Sequence, residues 1–154
     1  MSSPQITPVG AADLAELLVL MRGYCDFYEV APADEDLRAL AQTLIDHPET
    51  AGIQLIARGD DGAAIGFATI YWSYSTLSAG PIGVMNDLYA DPAARAGGVG
   101  GALIRACEAE CVARGVPVLE WETAPDNQRA QSVYDRFGAE RSTWLSYTLA
   151  VTPR

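Results

Sequence analysis

The run Arg95-Ala96-Gly97-Gly98-Val99-Gly100-Gly101 lies between an apolar stretch, Ile82 to Ala90, and a helical stretch, Gly101 to Arg114. Glycines at such a junction let backbone N–H groups approach an anion closely, and the following helix adds unpaired first-turn donors and the positive end of its dipole. The chemistry this suggests is a cradle for a phosphorylated cofactor. Most glycine-rich runs are only turns or helix starts, so context has to decide. A triphosphate-binding loop needs a lysine, and the chain has none. A dinucleotide fingerprint needs a third glycine where Leu103 stands.

A second spacing follows the strand-like Pro117 to Thr123: Asn127, Ala130, Tyr134 and Gly138. On a helix begun after Asp126 these positions share roughly one face. Tyr134 is then either a core residue whose hydroxyl reaches the surface or a proton donor. Asp87, Glu120 and Glu122 are the carboxylates on the two central strands, and alternation lets only some of them share one face of the sheet. Tyr24, Asp26, Tyr28 and Glu29 end the first helix; aromatic rings with carboxylates suit an ammonium ligand, while a solvated helix end is the plainer reading.

The pattern R-x-x-G-x-G, met by Arg95, Gly98 and Gly100 after the strand ending Asp87-Leu88-Tyr89-Ala90, resembles motif A of the GNAT superfamily of acyl-CoA N-acyltransferases. Asn127-x-x-Ala130-x-x-x-Tyr134-x-x-x-Gly138 resembles its motif B. The resemblance covers about residues 53–147, and its finer features look closest to the branch that acetylates small amines and polyamines. It implies that Leu88, Tyr89 and Ala90 line the pantetheine arm of acetyl-CoA. Arg95, Ala96, Gly97, Gly98, Val99, Gly100 and Gly101 would hold its pyrophosphate, and Asn127 would be a further cofactor contact. Tyr134 becomes the candidate acid for the leaving thiolate, and Tyr24, Asp26, Tyr28 and Asn86 the candidate acceptor contacts.

Many members of that family carry a glutamate base on the fourth strand, where this chain has Asn86 and Asp87. Asp87 is the candidate base here, with deprotonation by bulk water as the alternative. The expected reaction is transfer of acetyl from acetyl-CoA to a primary amine. A non-catalytic acyl-CoA sensor, or an enzyme acting on protein N-termini or lysines, are the rival readings.

The supporting elements follow from periodicity. Leu14, Leu17, Leu18, Met21, Cys25 and Tyr28 repeat as one helix, and Leu37, Leu40, Ala41, Leu44 and Ile45 as a second, opened by Asp34-Glu35-Asp36. Two helices are thus expected ahead of the sheet. Ile53 to Ala57 and Ala63 to Tyr74 read as strands joined by a hairpin turn at Arg58 to Gly62, followed by a strand over Ile82 to Tyr89. The helix after the glycine run, with Gly115 as its stop, makes the strands on either side of it parallel. A helix over Asn127 to Phe137 and a final strand over Arg141 to Val151 complete the reading. The expectation is one α/β domain over residues 1–154: a mixed, mostly antiparallel sheet with one splayed parallel pair and helices on both faces.

The chain has 154 residues, of which 49% are hydrophobic, enough for one core. Neither a leader nor a membrane span is evident, so a cytoplasmic protein is expected. Cys107 and Cys111 fall in line with Leu103, Ile104 and Val112, and Cys25 on the apolar face of the first helix, which favours burial over a metal or redox role. His47 precedes Pro48 at a helix end, so no metal site and no Ser-His-Asp site is expected. The net charge of −10 lies wholly in residues 1–94; the remainder is neutral. An acidic face disfavours nucleic acid and anionic membranes and attracts a cationic small-molecule partner, although solubility alone also explains a low pI. Trp144 and Tyr147 on the edge of the last strand suit a homodimer.

Overall fold

The computed structural model describes residues 2–152. The elements run β1 (Gln5–Pro8), α1 (Leu14–Phe27), α2 (Asp34–Asp46), β2 (Gly52–Arg58), β3 (Ala64–Ser75), β4 (Gly80–Ala90), α3 (Val99–Ala113), β5 (Leu119–Glu120) and α4 (Gln128–Arg136). The strands form one sheet in the order β1-β2-β3-β4-β5. Only β4 and β5 are parallel; the other neighbours are antiparallel. By contact density the chain divides into two compact units, Met1–Glu122 and Thr123–Arg154.

In the first unit, helix α1 buries Leu14, Leu17, Leu20, Met21 and Cys25, which recur every three or four residues and so share a face. They pack in one cluster with Leu37 and Ala41 of α2 and with Ile56 and Phe67 of the sheet. Burying each large side chain of this kind stabilises by about 1.5–3 kcal/mol. The start of α1 is tied to the end of β2 by Arg58, which donates to Asp13 at 2.7 Å and Glu16 at 3.0 Å. Helix α3 covers the other face with Val99, Leu103, Ile104, Cys107 and Cys111. Gly66 and Gly83 allow that approach: a Cβ at Gly66 would lie 2.9 Å from Val99, and one at Gly83 would lie 3.0 Å from the Cys111 sulfur. The mixed sheet, its parallel pair and its two covered faces are as the sequence indicates.

Several details differ. A strand, β1, precedes the helices, because Gln5 to Pro8 finds the open edge of β2, with Ile6 opposite Ala57. Leu40 and Val112 are exposed rather than core-facing, and so is Tyr28, which lies just past the last turn of α1. The fifth strand contracts to two residues. The expected strand over Arg141 to Val151 does not form among the described residues. A pattern makes a strand only where it pairs, and Trp144, Leu145, Tyr147, Leu149 and Val151 all stand exposed.

Candidate active site

Strand β4 is where the sheet opens. Gly83 lies opposite Leu119 and Val84 opposite Glu120, and there the parallel pairing ends. From Met85 to Ala90 the strand pairs with β3 alone. Within that stretch Met85 faces Ile70 and Asp87 faces Thr69, leaving Asn86 as an extra residue, a β-bulge. A bulge shifts the alternation by one and re-aims the side chains that follow. Met85 therefore points to the α3 face, with Ile70, while Asp87 and Tyr89 point to the α1 face.

Of the three carboxylates available on β4, β5 and the residues just after β5, only Asp87 is buried, at 8% exposure. Asn86 donates from Nδ2 to Asp87 Oδ1 at 3.0 Å. The Tyr24 hydroxyl donates to the Asn86 carbonyl oxygen at 3.3 Å and lies within reach of the charge on Asp87. Burial, then the charge of Asp87, push the Tyr24 phenol far above the ordinary range, and the same two causes push Tyr71 up to about 12. Both phenols therefore stay protonated, as donors, at neutral pH.

The Tyr24 ring lies 4.9 Å from that of Tyr28, 5.9 Å from Phe67 and 6.5 Å from Tyr89. Tyr89 reaches α1 at Gly23, where a Cβ would fall 2.4 Å from its hydroxyl, so glycine is required for this approach. Asp26 is exposed and helps to raise the Tyr89 phenol, a shift led by burial. Tyr24, Tyr28, Asn86, Asp87 and Tyr89 are thus brought together, with Asp26 at the margin.

Beyond β4, Asp91 accepts from the Ala93 N–H at 2.9 Å and opens a 3-10 turn over Pro92–Gly97. Gly98 has φ of +72°, a left-handed conformation that glycine adopts at little cost, and it turns the chain into α3. The first helical hydrogen bond runs from Ala102 N–H to the Gly98 carbonyl at 3.0 Å. The N–H groups of Val99, Gly100 and Gly101 precede it, at the positive end of the helix dipole.

A Cβ on Gly97, Gly98 or Gly100 would meet nothing within 4 Å, so the loop presents open backbone. Val99 differs: its side chain is core, leaving only its backbone for a ligand. Arg95 donates from Nε to the Ala90 carbonyl at 3.2 Å, and its guanidinium lies 5.8 Å from the Phe27 ring centroid. Ala96 is exposed beside it. Open backbone donors, a helix start and one arginine fit a pyrophosphate. Leu88 and Ala90 pair with Ala68 and Gly66 through β3, while their other edge lies beyond the reach of β5.

In the second unit, Asn127 is the N-cap of α4, its side chain accepting from the Ala130 N–H at 3.2 Å. Its carbonyl oxygen thus has a structural duty in addition to any ligand contact by the amide nitrogen. Tyr134 lies two turns further along the helix and is half-buried. Among the described residues no group of three or more His, Cys, Asp or Glu could hold a metal, and no helix is long and apolar enough to cross a membrane.

Residues 17–139 match the Acetyltransferase (GNAT) family, a match that spans the glycine loop, β4, β5 and α4. The chain belongs to the GNAT acetyltransferase family. It is 31% identical over 141 residues to the uncharacterized N-acetyltransferase YhfO of Bacillus subtilis (strain 168), covering 91% of this chain and 93% of that one. Aminoglycoside N(6')-acetyltransferase type 1 of Klebsiella aerogenes is 29% identical over 135 residues, with 86% and 87% covered. Among solved structures, AAC(6')-Iy in complex with the bisubstrate analog CoA-S-monomethyl-acetylneamine shares the fold, with a TM-score of 0.83 at 21% identity over 98% of this chain and all of that one. This GNAT protein is an acetyl-CoA-dependent N-acetyltransferase.

Three features of the GNAT site are additional to the sequence reading: the bulge at Asn86, the Tyr71 phenol near Asp87, and the buried polar pair Gln54 and Thr69. The pair carried a signal, since a polar residue inside an apolar strand covered on both faces is out of place there. The bulge carried none.

Proposed function

We propose that this enzyme acetylates a primary amine on a small cationic molecule, by direct attack within a ternary complex. The observation that carries the reading is Asp87: a buried carboxylate, held by Asn86 and close to Tyr24, at the point where β4 parts from β5. The acceptor arrives as an ammonium ion. Asp87 takes one of its protons, the freed nitrogen attacks the thioester carbonyl carbon, and the carbon–sulfur bond breaks. Tyr134 supplies the proton that the departing thiolate takes up and is reprotonated through solvent by the second proton that the nitrogen sheds as the amide forms, while Asp87 gives its proton to solvent.

The glycine loop, with Arg95 and the first-turn N–H groups of α3, holds the pyrophosphate, and the free edge of Leu88, Tyr89 and Ala90 supports the pantetheine arm. Tyr24, Asp26 and Tyr28 bind the cation: their rings and charge favour ammonium, and the acidic excess of residues 1–94 draws it in. The aminoglycoside acetyltransferase relative from Klebsiella aerogenes supports an acceptor bearing several amines.

The experiment is thiol release from acetyl-CoA with a panel of monoamines, polyamines, aminoglycosides and peptides, using wild type and Asp87→Asn. Small polycations should be preferred, and Asp87→Asn should lower kcat/KM by about a hundredfold or more. Preference for peptide amines would overturn the acceptor class, and a fully active Asp87→Asn would overturn the base.

A further inference from the structure

Three polar residues lie on one rung of an otherwise apolar sheet. Gln54 of β2 stands opposite Thr69 of β3, and Thr69 stands opposite Asp87 of β4. Directly opposed residues of antiparallel strands share a face, so the three side chains form a row beneath α1. Their exposures are 4%, 0% and 8%, and they are the buried polar or charged residues of the described chain. Gln54 Nε2 donates to Thr69 Oγ1 at 3.1 Å and to the Met21 sulfur at 3.8 Å. Gln54 Oε1 has no hydrogen-bond partner among the described residues.

Burying an acceptor with no donor is destabilising, so packing stability does not account for a glutamine here. The row does have a direction. Because Thr69 Oγ1 already accepts from Gln54, its own hydroxyl proton remains to be donated, and its neighbour on the far side is the Asp87 carboxylate. A hydrogen bond from that hydroxyl to Asp87 would extend the Gln54–Thr69 pair into a chain, and successive hydrogen bonds polarise one another.

From this row we infer that Gln54 and Thr69 are positioning residues, which fix the Asp87 carboxylate from the sheet side while Asn86 fixes it from the bulge. The inference rests on the proposed role of Asp87 as base. A carboxylate held from two sides keeps one oxygen aimed at the acceptor amine, and loss of one side lets it rotate away without altering where the amine binds.

The test compares Thr69→Val, Thr69→Ser, Gln54→Leu and Asp87→Asn in steady-state kinetics and thermal unfolding. Thr69→Val should lower kcat about tenfold with KM for the amine within about twofold, since only orientation is lost. Thr69→Ser, which keeps the hydroxyl, should restore kcat to within about twofold of wild type. Gln54→Leu should lower kcat severalfold while Tm holds or rises. Unchanged kcat in Thr69→Val, or equal losses in the valine and serine variants, would overturn the inference. Asp87→Asn separates the two levels: if it loses turnover while Thr69→Val does not, only the row is refuted, and if it stays active, the base reading falls and the row with it.

Discussion

The unit ending at Glu122 and the unit beginning at Thr123 hold their candidate site residues in opposite styles. The first holds its reactive candidates in place: Asp87 is buried, hydrogen-bonded from its neighbour Asn86, and roofed by a helix whose tyrosine is itself packed against three rings. The second, over its described residues, buries none of them, and α4 presents Asn127 and Tyr134 from a single nine-residue helix. In the proposed reaction Asp87 meets a mobile substrate, and a base in that role gains from being surrounded before the ligand arrives. An acid acting late, on a leaving group already tethered by its cofactor, needs less of this support.

That contrast can be tested in both directions. The largest effect should come from Phe67→Ala, which removes a ring 1% exposed at the centre of the first unit; a loss of about 3–5 kcal/mol in denaturant unfolding is expected. A mild loss there would deny that this unit is the rigid one. Tyr134→Phe should lower turnover ten- to a thousandfold, with acetyl-CoA affinity retained. Unchanged turnover across pH would remove the second unit's tyrosine from the chemistry.

Gly98→Val should raise KM for acetyl-CoA roughly tenfold, because φ of +72° strains any branched side chain and the loop would abandon its shape. Calorimetry showing normal coenzyme A affinity would refute the cradle. Asp13→Asn is a smaller, pH-dependent case. The Gly10 N–H and then Arg58 hold the Asp13 carboxyl below the usual aspartate value of 3.8, so it stabilises the fold above that pH and loses this as pH falls through its folded value. The variant should melt earlier than wild type at pH 7, and the two should converge in acid. Trp144→Ser should be the mildest, within about 0.5 kcal/mol, since its ring is 85% exposed.

Local pattern was the part of the fold that the sequence displayed openly. The stripe Leu14-Leu17-Met21-Cys25 and the hairpin at Arg58 to Gly62 depend on neighbours within a turn or two, and both are as read. What depends on a distant partner was hidden. Gln5 to Pro8 is too short to announce a strand until the edge of β2 is there to receive it. Trp144 to Val151 has the apolar residues for one, yet no strand forms there among the described residues. Within the site, the glycine loop and the tyrosines at the end of α1 were legible from residue type. The surroundings of Asp87 were not, because Gln54, Thr69 and Tyr71 are brought to it by strand register, a long-range property.

The extra residue at Asn86 bears on how this enzyme could change over time. A two-residue wave runs along β4, and position 86 is where its phase slips, so that Met85 and Asp87, two apart, look in opposite directions. Any substitution there leaves the count of residues intact. Removing the residue would instead close the ladder: Met85 and Asp87 would become direct neighbours on opposite faces, still across from Ile70 and Thr69, and every later side chain would keep its face. The facing of Asp87 therefore tolerates loss of the extra residue, and a codon deletion there would remove the Asn86 amide that donates to Asp87 without turning the carboxylate across the sheet.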